Sequence, residues 1–317
     1  MPKNHLSHFL ITLHCLLLLS SFVQAAPPTF SVKQQKGHLQ IQSGENVIGD
    51  YVYQDPKILR PHFRNVFAPG NLQVTRHQPP REGQDATDHA DMHPGIWLAF
   101  GDISGHDFWR NQGKIQHEKF TKEPTAKNGA LHFATESTFL TKDAQTLAKQ
   151  KSQFQLQHAP NGYLLVWDAE ITPTADGFYF GDQEEMGLGV RVATPITEKN
   201  GGQILSSSGE NSAKSTWGKP YEWCDYSGPF QNQHVGITIF SHPKNFRPSW
   251  WHNRDYGVFV ANPFGRKALT QGEPSRIEVK MGESLRLTFG VLIHSSAKPA
   301  DVNIPAAYHA FQAVTPR

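Results

Sequence analysis

The chain has 317 residues, with 30 lysines and arginines against 28 acidic residues and a formal net charge of +2. That balance gives no electrostatic ground for a nucleic-acid or anionic-membrane partner. Mean hydropathy is −0.51, and beyond the N-terminus no run approaches the roughly 18 apolar residues that a membrane span needs.

The N-terminus carries Lys3, an apolar run over residues 9–19 and a small-residue segment ending at Ala25-Ala26. This pattern predicts a secretory signal peptide over residues 1–25, and so a secreted or periplasmic protein. Residues 26–317 read as a single β-sandwich domain. Cys15 falls inside the leader, which leaves Cys224 alone. No intrachain disulfide can then form, and zinc sites built from cysteines are excluded. Cys224, next to Trp223, reads as a small buried residue rather than a nucleophile.

The chain's 26 glycines and 22 prolines are spread along it and favour many short strands over long helices. Early strands are predicted at residues 30–33, 38–42 and 47–53. Residues 145–155 fit a short helix, or equally part of a long strand pair over 137–157. Alternation predicts further strands at 163–171, 235–240, 256–261 and 285–294. In the last of these Leu285, Leu287, Phe289, Val291 and Ile293 share one face. The stretch 197–221 is the best long-loop candidate, and it leads straight into Trp223-Cys224-Asp225. The expected fold class is all-β: a large two-sheet antiparallel β-sandwich with few short helices.

Residues 85–109 hold three histidines, five aspartates and two tryptophans. Imidazoles and carboxylates beside flat aromatic faces suit proton transfer, or metal ligation, next to a sugar-like ligand. His89 and His93 lie in a loop before the tight Pro94-Gly95 turn and the strand containing Trp97. Asp102 and His106 follow that strand, where a turn-forming role explains Asp102 equally well. Further on, Glu185, Gly187, Gly189 and Arg191 alternate with Met186, Leu188, Val190 and Val192. Glu185 becomes a candidate acid/base carboxylate oriented by Arg191, and the two glycines predict an open floor between them. Around residues 225–262, Asp225, Trp251, His252, Asp255 and Asn262 repeat the same chemistry. The two segments are expected to meet in one site. No phosphate-binding loop, nucleophile elbow, His-Glu-x-x-His helix or dinucleotide fingerprint is present.

These motifs together resemble a bacterial family labelled methane oxygenase PmoA. The resemblance rests on residues 56–64 (Pro-Lys-Ile-Leu-Arg-Pro-His-Phe-Arg), 88–105, 184–191, 223–228 and 250–265. Relatives carry His-Pro-His-His-Arg-Gly-Ile-Trp where this chain has Asp-Met-His-Pro-Gly-Ile-Trp, so the histidine triplet is missing here. The resemblance implies a secreted sandwich similar to the supersandwiches of galactose mutarotases and polysaccharide lyases, accompanying carbohydrate breakdown.

The combined expectation is a hydrolase, lyase or epimerase acting on a carbohydrate or glycoside substrate. Glu185 or Asp255 would be the carboxylate catalyst and His93 or His252 its acid/base partner. Arg64 and Arg191 would bind substrate oxygens, with Trp97 and Trp251 as stacking surfaces. His89, Asp102, His106, Asp225 and Asn262 would complete the binding groups. Two alternatives stand beside this one. The first is a non-catalytic carbohydrate-binding sandwich. The second is an oxygenase or hydrolase using a divalent metal held by His89, His93, His106 or His252.

Overall fold

The computed structural model describes Met1 and residues 27–314. The expected signal peptide and its cleavage site lie outside the described residues. Among the described residues no helix is long and apolar enough to cross a membrane.

Two eight-stranded antiparallel sheets form the molecule. The first runs, in spatial order, Phe30–Gln35, His38–Ser43, Asn46–Val52, His62–Arg64, Ile96–Phe100, Met186–Arg191, Val258–Asn262 and Trp250–Asn253. The second runs Gln203–Ser206, Trp223–Phe230, Gln233–Ser241, Leu285–Ser296, Gly162–Pro173, Thr146–Ala159, Ala130–Leu140 and Lys114–Lys127. The expected sandwich is what forms. The ambiguous segment at 137–157 is resolved as strand: Thr146–Ala159 pairs with Ala130–Leu140, placing Phe154 opposite Phe133.

The inner faces follow the predicted alternation. Leu285, Leu287, Phe289, Val291 and Ile293 from one sheet pack in the same core as Met186, Leu188, Val190 and Val192 from the other. Burying each such side chain contributes about 1.5–3 kcal/mol.

The two outer faces differ, and that difference positions the site. The C-terminal helix Ile304–Ala313 lies over the outer face of the second sheet, where Ile304, Tyr308 and Phe311 pack on Leu164, Val166, Phe240 and Leu292. Its first turn is capped by Asn303, whose side chain accepts from the Ala306 amide at 3.0 Å. It sits so close at Gly290 that a Cβ there would lie 2.8 Å from the Phe311 ring. Among the described residues, no such helix covers the outer face of the first sheet. Part of it carries a separate cluster of Trp97, Ala99, Trp109, Val258 and Val260, with Tyr256 packed against it. The chain between Arg76 and Gly95 borders this cluster.

Candidate functional site

Strand register builds the site floor. One row of paired residues crosses the first sheet as His62, Trp97, Gly189, Val260 and His252. At about 4.8 Å per strand, His252 lies roughly 14 Å from Trp97 along this row. The next row brings Arg191 beside Gly95, whose carbonyl takes the Arg191 amide at 2.8 Å. Gly189 does not leave an open floor. A Cβ there would lie 2.6 Å from the Trp97 ring, so the indole occupies that space.

Arg76 organises the loop over this face. It is 1% exposed and donates to the carbonyls of Ala86 (2.9 Å), Asp88 (2.7 Å) and His93 (3.1 Å). Asp85 pins the loop's start through His77 Nδ1 (2.8 Å), the Arg81 amide (2.9 Å) and Thr194 (2.8 Å). The loop delivers Asp88 to Arg191, which is buried and donates to both carboxylate oxygens at 2.9 and 2.8 Å. Desolvation opposes ionisation of Asp88, but the Arg191 and His89 hydrogen bonds outweigh it and hold the carboxyl far below its usual range. Arg191 also lies 4.8 Å over the Tyr256 ring.

His93 lies flat on Trp97, with ring centroids 5.1 Å apart and planes 13° off parallel. His89 sits 5.1 Å from His93, and Trp109 meets Trp97 edge-on at 5.3 Å. Burial, followed by the nearby Arg191 charge, pushes the His93 imidazole well below its ordinary pKa. His62 is fully buried and held neutral in the same way, with a pKa lowered to about 4. It donates from Nδ1 to the Arg60 carbonyl at 3.0 Å, which leaves Nε2 as an acceptor.

The second half of the face centres on His252. Its Nδ1 donates to the Glu184 carbonyl (3.0 Å), and its Nε2 accepts from Arg254 Nε (3.0 Å). Burial first and Arg254 second lower its pKa to about 3. Arg254 also binds the Glu184 carboxylate at 3.0 Å and stacks on Trp217 at 4.2 Å. Glu185 pairs with Arg110, which in turn holds Asp107 at 2.8 Å. Tyr256 packs against the Trp97 cluster beneath Arg191, and burial raises its phenol pKa.

The model of one family matches residues 38–308, most of the chain. The chain belongs to DUF6807, a family of unknown function. No curated protein matches its sequence. Among solved structures it is similar to a GH36 α-galactosidase from Geobacillus stearothermophilus, with 11% identity and a TM-score of 0.45, over 85% of this chain and 41% of that one. It is also similar to a galactose mutarotase related enzyme from Lactobacillus acidophilus, with 10% identity and a TM-score of 0.38, over 85% of this chain and 98% of that one. The chain thus spans well under half the length of the α-galactosidase.

Of the residues singled out by sequence, this DUF6807 member brings His89, His93, Trp97 and Arg191 together, with Glu185 and His252 on the same face. Arg64 lies on the Arg191 row across Gly95 and is held by Asp50 at 3.2 Å. Asn262 has every polar atom occupied. It donates to the Gln183 and Glu184 carbonyls (2.7 and 3.0 Å) and accepts from the Phe264 and Gly265 amides (2.8 and 2.9 Å). Its place is to position the Glu184 carbonyl on which His252 depends.

The remaining residues stand elsewhere. Trp251 points into the inter-sheet core and donates to the Tyr221 carbonyl at 3.1 Å, so it offers no stacking surface. Asp225 is buried on the outer face of the second sheet, bonded to His294 (2.8 Å), Ser227 (2.5 Å) and Thr238 (2.7 Å). Asp255 is exposed in the turn after Asn253 and pairs with Lys199 at 3.6 Å. Asp102 closes a turn by accepting the Gly105 amide at 2.8 Å, and with His106 it sits at the far end of the Trp97 strand from His93. Among the described residues, no group of three or more His, Cys, Asp or Glu is placed to hold a metal.

Sequence reasoning missed Arg60, His62, Arg76, Arg110 and Glu184. Arg60 and His62 sit in the 56–64 motif, which was the available signal. Arg76 had none, because a buried arginine serving loop carbonyls looks like any other basic residue in a sequence.

Proposed function

We propose that this protein is an exported carbohydrate-active enzyme whose site is the outer face of the first sheet. One observation carries the reading. Among the described residues, six of the thirteen buried side-chain polar atoms without a partner lie in this one cluster: Arg60 Nε, His62 Nε2, Arg76 Nε, His93 Nδ1, Trp97 Nε1 and Trp109 Nε1. Buried polar groups are nearly always satisfied. Four of these six are donors, from two arginines and two indoles, and two belong to neutral imidazoles able to accept. These atoms lie just beneath the surface, where bound water, or a hydroxyl group entering beside His93, supplies both complements, and the aromatic groups suit the apolar face of a sugar ring.

The pairing of the carboxylates favours a lyase or epimerase over a hydrolase. Asp88, Glu184 and Glu185 each face an arginine. Asp88, held far below its usual range by Arg191, stays ionised and fits an orienting role, and the other two are engaged by arginines, whereas a glycosidase acid has to hold a proton. Abstraction of a proton next to a carbonyl or carboxylate needs a base and a charge neutraliser. Neutral His93 and the arginines supply these, while His252, with both ring nitrogens engaged, holds Arg254 in place.

The test is incubation of the purified protein with aldoses, glycosides and uronate-containing oligosaccharides in deuterated water. The expected result is deuterium incorporation at one carbon, or an unsaturated product, lost in His93→Ala and His252→Ala. If both variants fold normally and leave binding and turnover unchanged, the site is elsewhere.

A further inference from the structure

A cleft of about 890 Å³ opens at the end of the sandwich, between the turn at Lys36-Gly37, residues 53–60 and the start of the strand Lys114–Lys127. Its volume falls within the roughly 300–1,000 Å³ of small-ligand sites. Its wall carries an aromatic group: Tyr53 lies 4.8 Å from the His117 ring and meets Phe120 edge-on at 5.3 Å. Long polar side chains, among them exposed Gln54 and Lys114 and half-buried Gln116, face the same space.

Two buried atoms here have no partner: His117 Nδ1 and Arg60 Nε. Arg60 is 3% exposed and lines the cleft. Its terminal nitrogens are already committed on the other side, to the Trp109 carbonyl (2.8 Å), Asn111 Oδ1 (2.9 Å) and the Met92 carbonyl. Met92 precedes His93, and Trp109 packs on Trp97. One arginine is therefore shared between the cleft and the candidate site.

We infer that this cleft is a second binding site, taking the continuation of a glycan chain whose reacting unit sits beside His93 and Trp97. The Tyr53 ring and the polar side chains of Gln54, Lys114 and Gln116 for hydroxyl groups make up a sugar subsite. Charges of both signs line it, with Lys36 and Lys114 against Asp55 and Glu118, which suits an uncharged glycan. The inference rests on the carbohydrate reading above.

Calorimetric titration of the full chain with gluco-, manno- and galacto-oligosaccharides, from mono- to hexasaccharide, tests it. Affinity for one series should rise about tenfold with length in the wild type, and not in Tyr53→Ala. Because Tyr53 also touches the core, Gln54→Ala/Gln116→Ala is the companion variant and should flatten the same length dependence. Both variants should bind the monosaccharide as the wild type does. Monosaccharide binding with no gain from length, or a gain that survives both variants, overturns the cleft and leaves the site reading standing. Failure of every saccharide to bind overturns both.

Discussion

The His93 ring covers the Trp97 ring at 5.1 Å, 13° from parallel, and the indole beneath it is fully buried. The Trp97 face that the sequence offered as a sugar platform is thus already stacked by the chain's own imidazole. The surface available to a ligand is made by His93 and its neighbours, and the unpaired indole N–H lies buried beneath it.

Trp97→Phe should therefore separate binding from stability. Phenylalanine keeps part of the stack and removes a buried N–H that has no partner, but it leaves a small cavity over Gly189, so the fold should lose about 1–3 kcal/mol. Ligand affinity should fall severalfold, because His93 loses part of the ring on which it rests. Denaturant titration and calorimetry on the same variant check the two halves. An unchanged affinity would remove Trp97 from the site.

Stability should be flat above about pH 7 and fall on acidification. His62 and His252 take up protons only near 4 and 3 when folded, and His93 well below its ordinary value. Their unfolded counterparts do so near 6.5. Between those limits the unfolded state binds more protons, so lowering the pH from about 6.5 toward 4 favours unfolding. Three such groups give a slope of up to roughly 4 kcal/mol per pH unit. His62→Gln should make this slope shallower, which urea titrations across that pH range would measure.

Asp88→Ala and Asp255→Ala should differ in consequence. Asp88 neutralises Arg191, whose side chain is 1% exposed, although Asp88 itself is 38% exposed. Its loss should cost about 1–3 kcal/mol, below the range for a fully buried pair because water reaches one side. Asp255 pairs only with exposed Lys199, and its loss should stay within about 0.5 kcal/mol. Thermal melts of the two variants decide this, and equal losses would contradict the described pairing.

Asp225→Ala and Trp251→Ala should behave as structural variants. The first strands the buried His294, and the second empties a core position. Each should cost about 3–5 kcal/mol. Ligand affinity of the folded fraction should match the wild type. A selective loss of binding in Asp225→Ala would place a second functional centre on the other sheet.

Alternation of apolar residues found about half of the long strands, but it missed Lys114–Lys127 and Trp223–Phe230 and left Gln203–Ser206 inside an expected loop. In 186–192 and 285–294 it also separated the core face from the outer face, because side chains on a strand alternate strictly. The same rule puts Trp250 and Trp251 on opposite sides, but it does not say which one faces the core. That depends on which face of the edge strand Trp250–Asn253 meets the second sheet.

The sequence by itself determined the β class, the composition of the His93–Trp97 segment and the placing of Glu185 and Arg191 on the face opposite the core. Only the tertiary structure decided that Asp225 belongs to another sheet, that Asn262 is consumed by backbone groups and that Arg60, His62 and Arg76 join the site. Local pattern fixes which way a side chain points from its own strand. Which strands lie side by side, and which outer face a helix covers, is settled by long-range pairing and packing.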